Sequence, residues 1–277
     1  MPVADVRDCK IYYEEHGSGF PLLLISGLGG VSSYWSPQLP VFSEQFRVVT
    51  HDHRGTGQSS RCYTKYSVEQ MTSDVIGLMD RLGIERAHVV GHSTGGAIAQ
   101  VLAIEHPQRV DRVVLYASWT KADAFFRRCF EVRLNLLRES GAQAYIRGAA
   151  VFLYPSWWIR NQGALSDRED STVYGAEFDA EIVERRIKAL LEFDRTDQLG
   201  SIRAPCLVMG VANDHLTPAY YSVELSERIP AAELVILEDG AHVASEVKPD
   251  DFNRVVMRFL LGQDPNAQSE PVGGLPL

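Results

Sequence analysis

The stretch AHVVGHSTGGAIAQ, residues 87–100, decides how the chain can be interpreted. A run rich in β-branched residues ends at Gly91, Ser93 stands between two glycines, and small residues follow. This order predicts a buried strand that turns at once into a helix, with Ser93 at the bend. The serine is then either a helix N-cap on a glycine-rich turn or a nucleophile held in a strained conformation. The rest of the chain has to distinguish these two interpretations.

Strand and helix patterns alternate over most of the sequence, which predicts a mostly parallel sheet with helices on both faces. Short apolar runs predict buried strands at 21–26, 46–51, 87–91, 111–117, 205–210 and 233–237. The alternating segment 10–15 predicts an antiparallel edge strand. Apolar residues at helical spacing predict helices over 67–83, after a serine start, and over 250–262.

The alternation stops between residues 120 and 196, where the sequence is helix-like and rich in aromatic residues. We expect a core formed by 1–119 and 197–264 and a helical cap at 120–196 that packs over one end of the sheet. Residues 265–277 are polar and contain Pro and Gly, so we expect a flexible tail there.

A serine needs a base, and the base needs an acid to orient it. Asp214 follows the predicted strand 205–210, and His242 follows the predicted strand 233–237. Both would stand at the carboxyl ends of parallel strands, where they can meet Ser93. Asp214 could instead cap a helix and His242 could be a surface histidine. His215 and Asp239 are the nearest competitors, although neither stands at the expected point after its strand. The order Ser93, Asp214, His242 favours a catalytic triad.

Such a nucleophile also needs two backbone N–H groups that stabilise an oxyanion. We expect one from Thr94, the residue after the serine. The glycine-rich segment 25–30 follows an early strand, and Leu28 is the expected second donor.

The segment HDHRGTGQSS, residues 51–60, is the other polar motif of the N-terminal half. It lacks the glycine spacing of a dinucleotide-binding loop. His51 and His53 could suggest a metal, but no third ligand lies at a sensible spacing, and a structural loop with paired buried charges is expected. We therefore expect neither a metal nor a cofactor.

Composition narrows the function further. The 277 residues are 45% hydrophobic and 23% charged and carry a net charge of −9, as in ordinary globular proteins. We expect no nucleic-acid partner and no membrane partner, because there is no basic patch and no apolar run of about 20 residues. The first residues do not look like a signal peptide, and the four cysteines show no ligand-like spacing, so we expect reduced thiols and a cytoplasmic location. The expected partner is a small-molecule substrate, and a homodimer is compatible with the sequence.

The segments HDHRGTGQSS, GHSTGG, ANDH and GAH together resemble the α/β-hydrolase superfamily, and the likeness covers about residues 10–262. Haloalkane dehalogenases are less similar, because they have an aspartate at the position of Ser93. The stretch 25–39 and the cap stretch 127–157 resemble the RutD-type hydrolases of pyrimidine degradation. That resemblance implies hydrolysis of a C–N bond in a small metabolite such as an aminoacrylate or a carbamate. The region from the nucleophile to the acid also resembles 3-oxoadipate enol-lactonases, which implies an ester or lactone hydrolase as the alternative.

Aromatic and basic residues near the loops and in the cap are candidates for the substrate pocket, although cap–core packing would explain the aromatic ones equally well. The candidates are Tyr34, Trp35, Trp119, Phe126, Arg127, Arg128, Trp157 and Trp158. An apolar pocket would favour a bulky ester or lactone, whereas an inward arginine would favour a small acid. A non-catalytic ligand receptor and a cofactor-free perhydrolase or haloperoxidase are further alternatives. Repeated turnover would distinguish an enzyme from a receptor, which would only bind its ligand. The large insertion disfavours the perhydrolase or haloperoxidase.

Overall fold

The strand patterns of the sequence form one eight-stranded sheet. The computed structural model describes residues 2–161 and 178–266. The strands are β1 (Val3–Val6), β2 (Cys9–His16), β3 (Phe20–Ile25), β4 (Phe46–His51), β5 (Ala87–His92), β6 (Val110–Tyr116), β7 (Cys206–Val211) and β8 (Glu233–Leu237). Their order in the sheet is β1-β2-β4-β3-β5-β6-β7-β8. β2 pairs antiparallel with both β1 and β4, and the other pairings are parallel. The sequence patterns predict seven of these strands and miss β1.

The described helices that matter for the site alternate with the strands or lie in the insertion. They are α1 (Leu39–Phe42), α2 (Val68–Arg81), α3 (Thr94–Glu105), α4 (Ala124–Asn135), α5 (Gly141–Leu153), α6 (Ser156–Asn161), α7 (Ala180–Glu192), α8 (Ala219–Arg228), α9 (Ala244–Val247) and α10 (Pro249–Leu260). The predicted serine start of α2 is confirmed, because the side chain of Ser67 accepts a hydrogen bond from the amide of Gln70 at 3.1 Å.

Helices cover both faces of the sheet, as the period-two pattern of each strand requires. In β3, Leu23 packs into the core on the side of α2 and α3. Leu22 and Leu24 point the other way, into a second core that contains Phe252 and Phe259 of α10. The predicted fold class, a mostly parallel sheet between two helical layers, is confirmed.

Between β6 and β7 the chain leaves the sheet and forms α4, α5, α6 and α7. The two ends of this excursion meet, because Lys121 and Asp194 form an isolated antiparallel bridge. The amide of Arg195 also donates to the carbonyl of Thr120 at 3.3 Å. We call residues 120–196 the cap segment. Its boundaries stay a prediction, its residues 162–177 lie outside the described part, and so does the predicted tail from residue 267 onward.

Candidate active site

Ser93 stands at the bend between β5 and α3, in a backbone conformation that only a tight turn imposes. Its φ is 53° and its ψ is −113°. A non-glycine residue at positive φ is strained, so the surrounding structure must hold it. Its amide donates to the carbonyl of Tyr116 at 2.8 Å. A Cβ at Gly91 would overlap the carbonyl oxygen of Gly95, and a Cβ at Gly95 would overlap that of Ile25, so both glycines are required by close backbone contact.

Backbone strain recurs around this bend. Among the described residues, five non-glycine residues have positive φ, and three of them are Ser93, Ala117 and Ala241. Ala117 directly follows β6, and Ala241 directly precedes His242. Strained residues concentrate at functional sites, where neighbouring contacts compensate their cost. Residues at or after the carboxyl ends of β5, β6 and β8 therefore share the backbone strain that is typical of a functional site.

Asp214 and His242 meet as the sequence order predicts. The Nδ1 atom of His242 lies 2.8 Å from Oδ2 of Asp214, and both side chains are almost fully buried. The amides of Leu216 and Thr217 donate to Oδ1 of Asp214 at 2.8 and 2.9 Å, and the Thr217 hydroxyl donates to Oδ2 at 2.8 Å. These donors stabilise the ionised carboxylate. Because Nδ1 carries the proton shared with Asp214, the Nε2 atom of a neutral His242 can accept one.

The main chain of His242 is held as firmly as its ring. Its carbonyl oxygen lies 3.0 Å from Nε2 of His92 and accepts from the Tyr116 hydroxyl at 3.1 Å. A carbonyl can only accept, so Nε2 of His92 carries the proton. The ring of His92 stacks between those of Tyr34 and Tyr116. Burial holds the pKa of His92 well below its usual range, which keeps the ring neutral.

Ser93 and His242 open into one cavity of about 360 Å³. Its described lining comes from the 26–37 loop, from the nucleophile and histidine loops, and from the cap segment. Such a volume suits a small metabolite, being near the lower end of the usual range for ligand sites. Leu28 lines the cavity, and Thr94 is the first residue of α3, where a backbone amide has no partner within the helix. Leu28 thus shares the cavity with Ser93, and Thr94 follows Ser93 directly in the chain.

The structure corrects most of the expected pocket wall. Tyr34 lines the cavity, but Trp35, Trp119 and Phe126 do not belong to its described lining. Trp35 is fully buried in the core on the α10 side of the sheet. Trp119 and Phe126 pack on each other in the opposite core, with ring centroids 4.6 Å apart. These large rings fill the interior, as expected if the aromatic residues serve packing and not substrate binding.

The expected basic and tryptophan pairs of the cap also do not belong to the described cavity lining. Arg127 and Arg128 are exposed, the former donating to the carbonyl of Leu191 and the latter pairing with Glu131. Trp157 donates to the carboxylate of Asp239 at 3.0 Å, and Trp158 packs edge-on against Trp157. Amphipathic spacing explains the exposed arginines, because they occupy the solvent face of α4.

Among the described arginines of the cap segment, Arg133 lines the cavity, and the sequence patterns did not single it out. Arg133 is 2% exposed and receives support from Tyr145, whose hydroxyl lies 2.9 Å from its Nη2. Its guanidinium stacks 5.0 Å from the ring centroids of Phe130 and Tyr145. A sequence signal existed, because Arg133 follows Phe126 and Phe130 on the apolar stripe of α4.

Two further residues of the cavity, and one residue that binds the acid of the site, were not predicted from the sequence. Tyr154 donates to the carboxylate of Glu246 at 3.1 Å, and both line the cavity. Thr217, which holds Asp214, comes three residues after that aspartate, a spacing typical of side-chain-stabilised turns. Of the two competitors, His215 is exposed, and Asp239 binds Trp157 and Asn213.

The loop 51–60 is buried beneath the cap segment. His51 and His53 stack with centroids 5.1 Å apart, and Nδ1 of His53 lies 2.9 Å from a guanidinium nitrogen of Arg186 in α7. Burial, and next the nearby Arg186, lowers the pKa of His51 to about 4 and that of His53 well below its usual range. Within residues 2–161 and 178–266, no three His, Cys, Asp or Glu side chains are grouped as a metal site. The helices of the same residues include none long and apolar enough to cross a bilayer.

The fold and this site define the class of protein. Residues 21–249 match the sequence profile of the α/β-hydrolase fold, and the chain belongs to that family. Within it, the chain is related to the RutD group. It is 39% identical over 259 residues to a protein of Azorhizobium caulinodans that bears the provisional name carbamate hydrolase RutD, covering 94% of this chain and 98% of the relative. It is 40% identical over 261 residues to a protein of the same name from Agrobacterium fabrum, covering 92% and 99%.

Solved structures agree on the fold. The enol-lactonase of Burkholderia xenovorans LB400 superposes with a TM-score of 0.85 at 26% identity, covering 94% of this chain and all of that one. A hydrolase of Pseudomonas aeruginosa PA01 superposes with a TM-score of 0.86 at 27% identity, covering 94% and 97%. The chain is a hydrolytic enzyme of the α/β-hydrolase family, with its relatives in the RutD group.

Proposed function

We propose that this chain is a serine hydrolase in which Ser93, His242 and Asp214 act as a catalytic triad on a small metabolite. The observation that carries the proposal is the buried Asp214–His242 pair at 2.8 Å, which shares a cavity with the strained Ser93. A merely structural Asp–His pair would not require the neighbouring serine to occupy a strained conformation at a cavity wall.

In this mechanism, the Ser93 oxygen attacks the substrate carbonyl carbon while its proton passes to Nε2 of His242. Asp214 stabilises the resulting imidazolium, and the amides of Leu28 and Thr94 stabilise the oxyanion. Collapse of the tetrahedral intermediate breaks the bond to the leaving group, which takes the proton from His242. Water then attacks the acyl group by the same route and releases Ser93.

For the substrate, we favour C–N hydrolysis of the RutD type, on a carbamate or an aminoacrylate. Support comes from the name of the relatives and from Arg133, a buried cation at the cavity wall that suits a small carboxylate. For a carbamate or an enamine, water activated directly by His242 is an alternative to the covalent route. The four cysteines are free thiols, which supports a cytoplasmic setting.

The second candidate is an ester or lactone hydrolase. It is favoured by the superposition on the enol-lactonase, whose TM-score is 0.85. The triad would be the same, and only the leaving group would differ, an alcohol or enol in place of an amine.

The test is steady-state turnover of a panel of short p-nitrophenyl esters, an enol-lactone, a carbamate, and aminoacrylate generated in situ. Ser93→Ala and His242→Ala are assayed beside the native chain. We expect ammonia release from the nitrogen compounds to exceed ester turnover, and each variant to lose roughly 10³-fold or more of that activity. Ester or lactone turnover that both variants abolish, without ammonia release, would support the second candidate instead. Full activity of Ser93→Ala on every substrate would overturn the covalent mechanism.

A further inference from the structure

The cap segment does more than cover the cavity, because one of its side chains holds the loop that carries an expected oxyanion donor. Arg186 of α7 is fully buried. Its Nε and Nη2 atoms donate to the carbonyl oxygen of Leu28 at 3.2 and 3.0 Å. Its Nη1 atom donates to the carbonyl of Arg54 at 3.3 Å. One cap side chain thus binds two separate loops of the core.

The loop around Leu28 needs such anchors, since Gly27, Gly29 and Gly30 surround it. Glycines leave a backbone many conformations, so an amide in this loop points in a fixed direction only if its neighbours are tied. The core ties Gly30, whose carbonyl accepts from the amide of His53 at 2.7 Å and from the Thr56 hydroxyl at 2.8 Å. Arg186 ties Leu28 itself, the residue whose N–H would face the oxyanion.

The contact is tight on both sides. A Cβ at Gly30 would lie 2.9 Å from Nη2 of Arg186, so the guanidinium lies directly against this glycine. Across the same group, Nη2 lies 2.9 Å from Nδ1 of His53. The low pKa of His53 keeps its ring neutral, and because a guanidinium can only donate, His53 accepts at an unprotonated Nδ1. The motif HDHRG thereby gains a role that its sequence pattern alone did not reveal.

We propose that Arg186 is a positioning residue that couples the cap segment to the oxyanion hole, so that the hole is complete only when α7 is docked on the core. This inference rests on the proposed function, because it needs Leu28 to be an oxyanion donor. Arg186 acts through the backbone of Leu28, by binding its carbonyl, and does not belong to the described cavity lining. Its effect is therefore on the transition state, where charge develops on the oxygen, and much less on substrate binding.

The matched control is the preceding residue, Arg185. It also ties α7 to the core, donating to the carbonyls of Tyr63 and Thr64 at 2.8 and 2.9 Å, but it does not touch the loop of Leu28 in any described contact. Replacing it removes two hydrogen bonds between α7 and the core, where replacing Arg186 removes four, and it leaves the Leu28 carbonyl bound.

The experiment compares Arg186→Met, Arg186→Lys, Arg185→Met and Ser93→Ala on p-nitrophenyl acetate, with active sites counted by the burst of p-nitrophenol. For Arg186→Met we expect kcat per active site to fall roughly 10- to 100-fold while KM changes less than about threefold. The kcat of Arg186→Lys should lie between those of Arg186→Met and the native chain. Arg185→Met should keep kcat within about twofold of the native value. Inhibition by a small alkylboronic acid, which mimics the tetrahedral intermediate, should weaken by the same factor as kcat/KM.

The outcomes separate the two proposals. If Ser93→Ala keeps the native rate, the proposed function fails, and this inference fails with it. If Ser93→Ala is inactive while Arg186→Met keeps native kcat and boronate affinity, only the role of Arg186 is overturned. A loss of folded protein in Arg186→Met with unchanged kcat in the folded Arg186→Lys also overturns it, because that result describes a purely structural residue.

Discussion

The two walls of the cavity hold their side chains in different ways. On the core side, Asp214 accepts two backbone amides and the Thr217 hydroxyl, and the carbonyl of His242 is bound by His92 and Tyr116. On the cap side, Arg133 rests on the Tyr145 hydroxyl and on two aromatic rings. At the cavity, the core groups are thus held by contacts that mostly include a main-chain atom, whereas Arg133 of the cap is held by other side chains.

This difference suits the core side to the chemical reaction and the cap side to the choice of substrate. Hydrogen bonds to the backbone tolerate little displacement, which suits groups that transfer protons. Contacts between side chains can be exchanged one at a time without moving a strand. We therefore expect substitutions on the core side to affect the reaction steeply and those on the cap side to change which substrate is preferred.

The largest expected effect comes from the acid. Asp214→Asn should lower kcat by roughly 10⁴-fold with little change in KM, because the amide favours the wrong tautomer of His242. Asp239→Asn is the control, since Asp239 lies in the same loop as His242 but binds Trp157 and Asn213. Asp239→Asn should lower kcat by less than about tenfold. Equal losses in both variants, measured by steady-state kinetics, would contradict the assignment of Asp214.

A pair of glycines tests whether the core is the more rigid wall. A Cβ at Gly95 would overlap the backbone oxygen of Ile25, whereas at Gly148 in α5 it would meet only the end of the Leu136 side chain. Gly95→Ala should lower the free energy of unfolding by about 3 kcal/mol. Gly148→Ala should stay within about 1 kcal/mol of the native chain, because the helix propensity of alanine offsets the displaced leucine. Urea unfolding measures both, and similar losses would mean that the cap is as rigid as the core.

The free energy of unfolding should fall at acid pH because of a buried histidine at the junction of the two walls. Burial lowers the pKa of His51 to about 4, so this group stays neutral in the folded chain while it is protonated in the unfolded chain below its ordinary value near 6.5. Stability is therefore lost as the pH falls from 6.5 to about 4, by about 3 kcal/mol from this group. His51→Phe should make the fall of unfolding free energy with pH shallower, and His215→Gln, at an exposed position, should leave it unchanged. A slope that His51→Phe does not alter would contradict this expectation.

The smallest of these effects concerns the cap arginine. Arg133→Gln should raise KM for an anionic substrate by roughly 10- to 100-fold, because a charge-assisted hydrogen bond contributes about 1.5–3 kcal/mol. Turnover of neutral p-nitrophenyl acetate should change less than about threefold. Arg128→Gln removes a charge from the exposed face of the same helix and should change neither substrate. Equal losses on both substrates in Arg133→Gln would show that the residue only supports the fold.

The same contrast explains what could be predicted from the sequence. Each parallel strand ends at the same edge of the sheet, so a residue that directly follows a strand has a known position, and Ser93, Asp214 and His242 could be placed. Strand β1 could not be predicted because four residues are too few to carry a clear periodic signal.

In the cap segment, no such rule connects position in the chain to position in space. Arg127, Arg128 and Arg133 all lie on α4, and only the apolar stripe of Phe126 and Phe130 distinguishes the inward one. The tryptophans were misplaced because a large ring fills a core as readily as it lines a pocket. The partners of Arg186 lie more than 130 residues away along the chain, a distance at which spacing predicts nothing.

The bridge between Lys121 and Asp194 has a consequence for how such a protein can diversify. Because the excursion leaves and re-enters the core at one point, β6 and β7 pair directly as neighbours whatever lies between. Its length and composition can then change without altering the alignment of the sheet or the placement of the triad. A different cap segment could therefore replace this one at the bridge without disturbing the sheet, provided that it also binds the Leu28 carbonyl as Arg186 does.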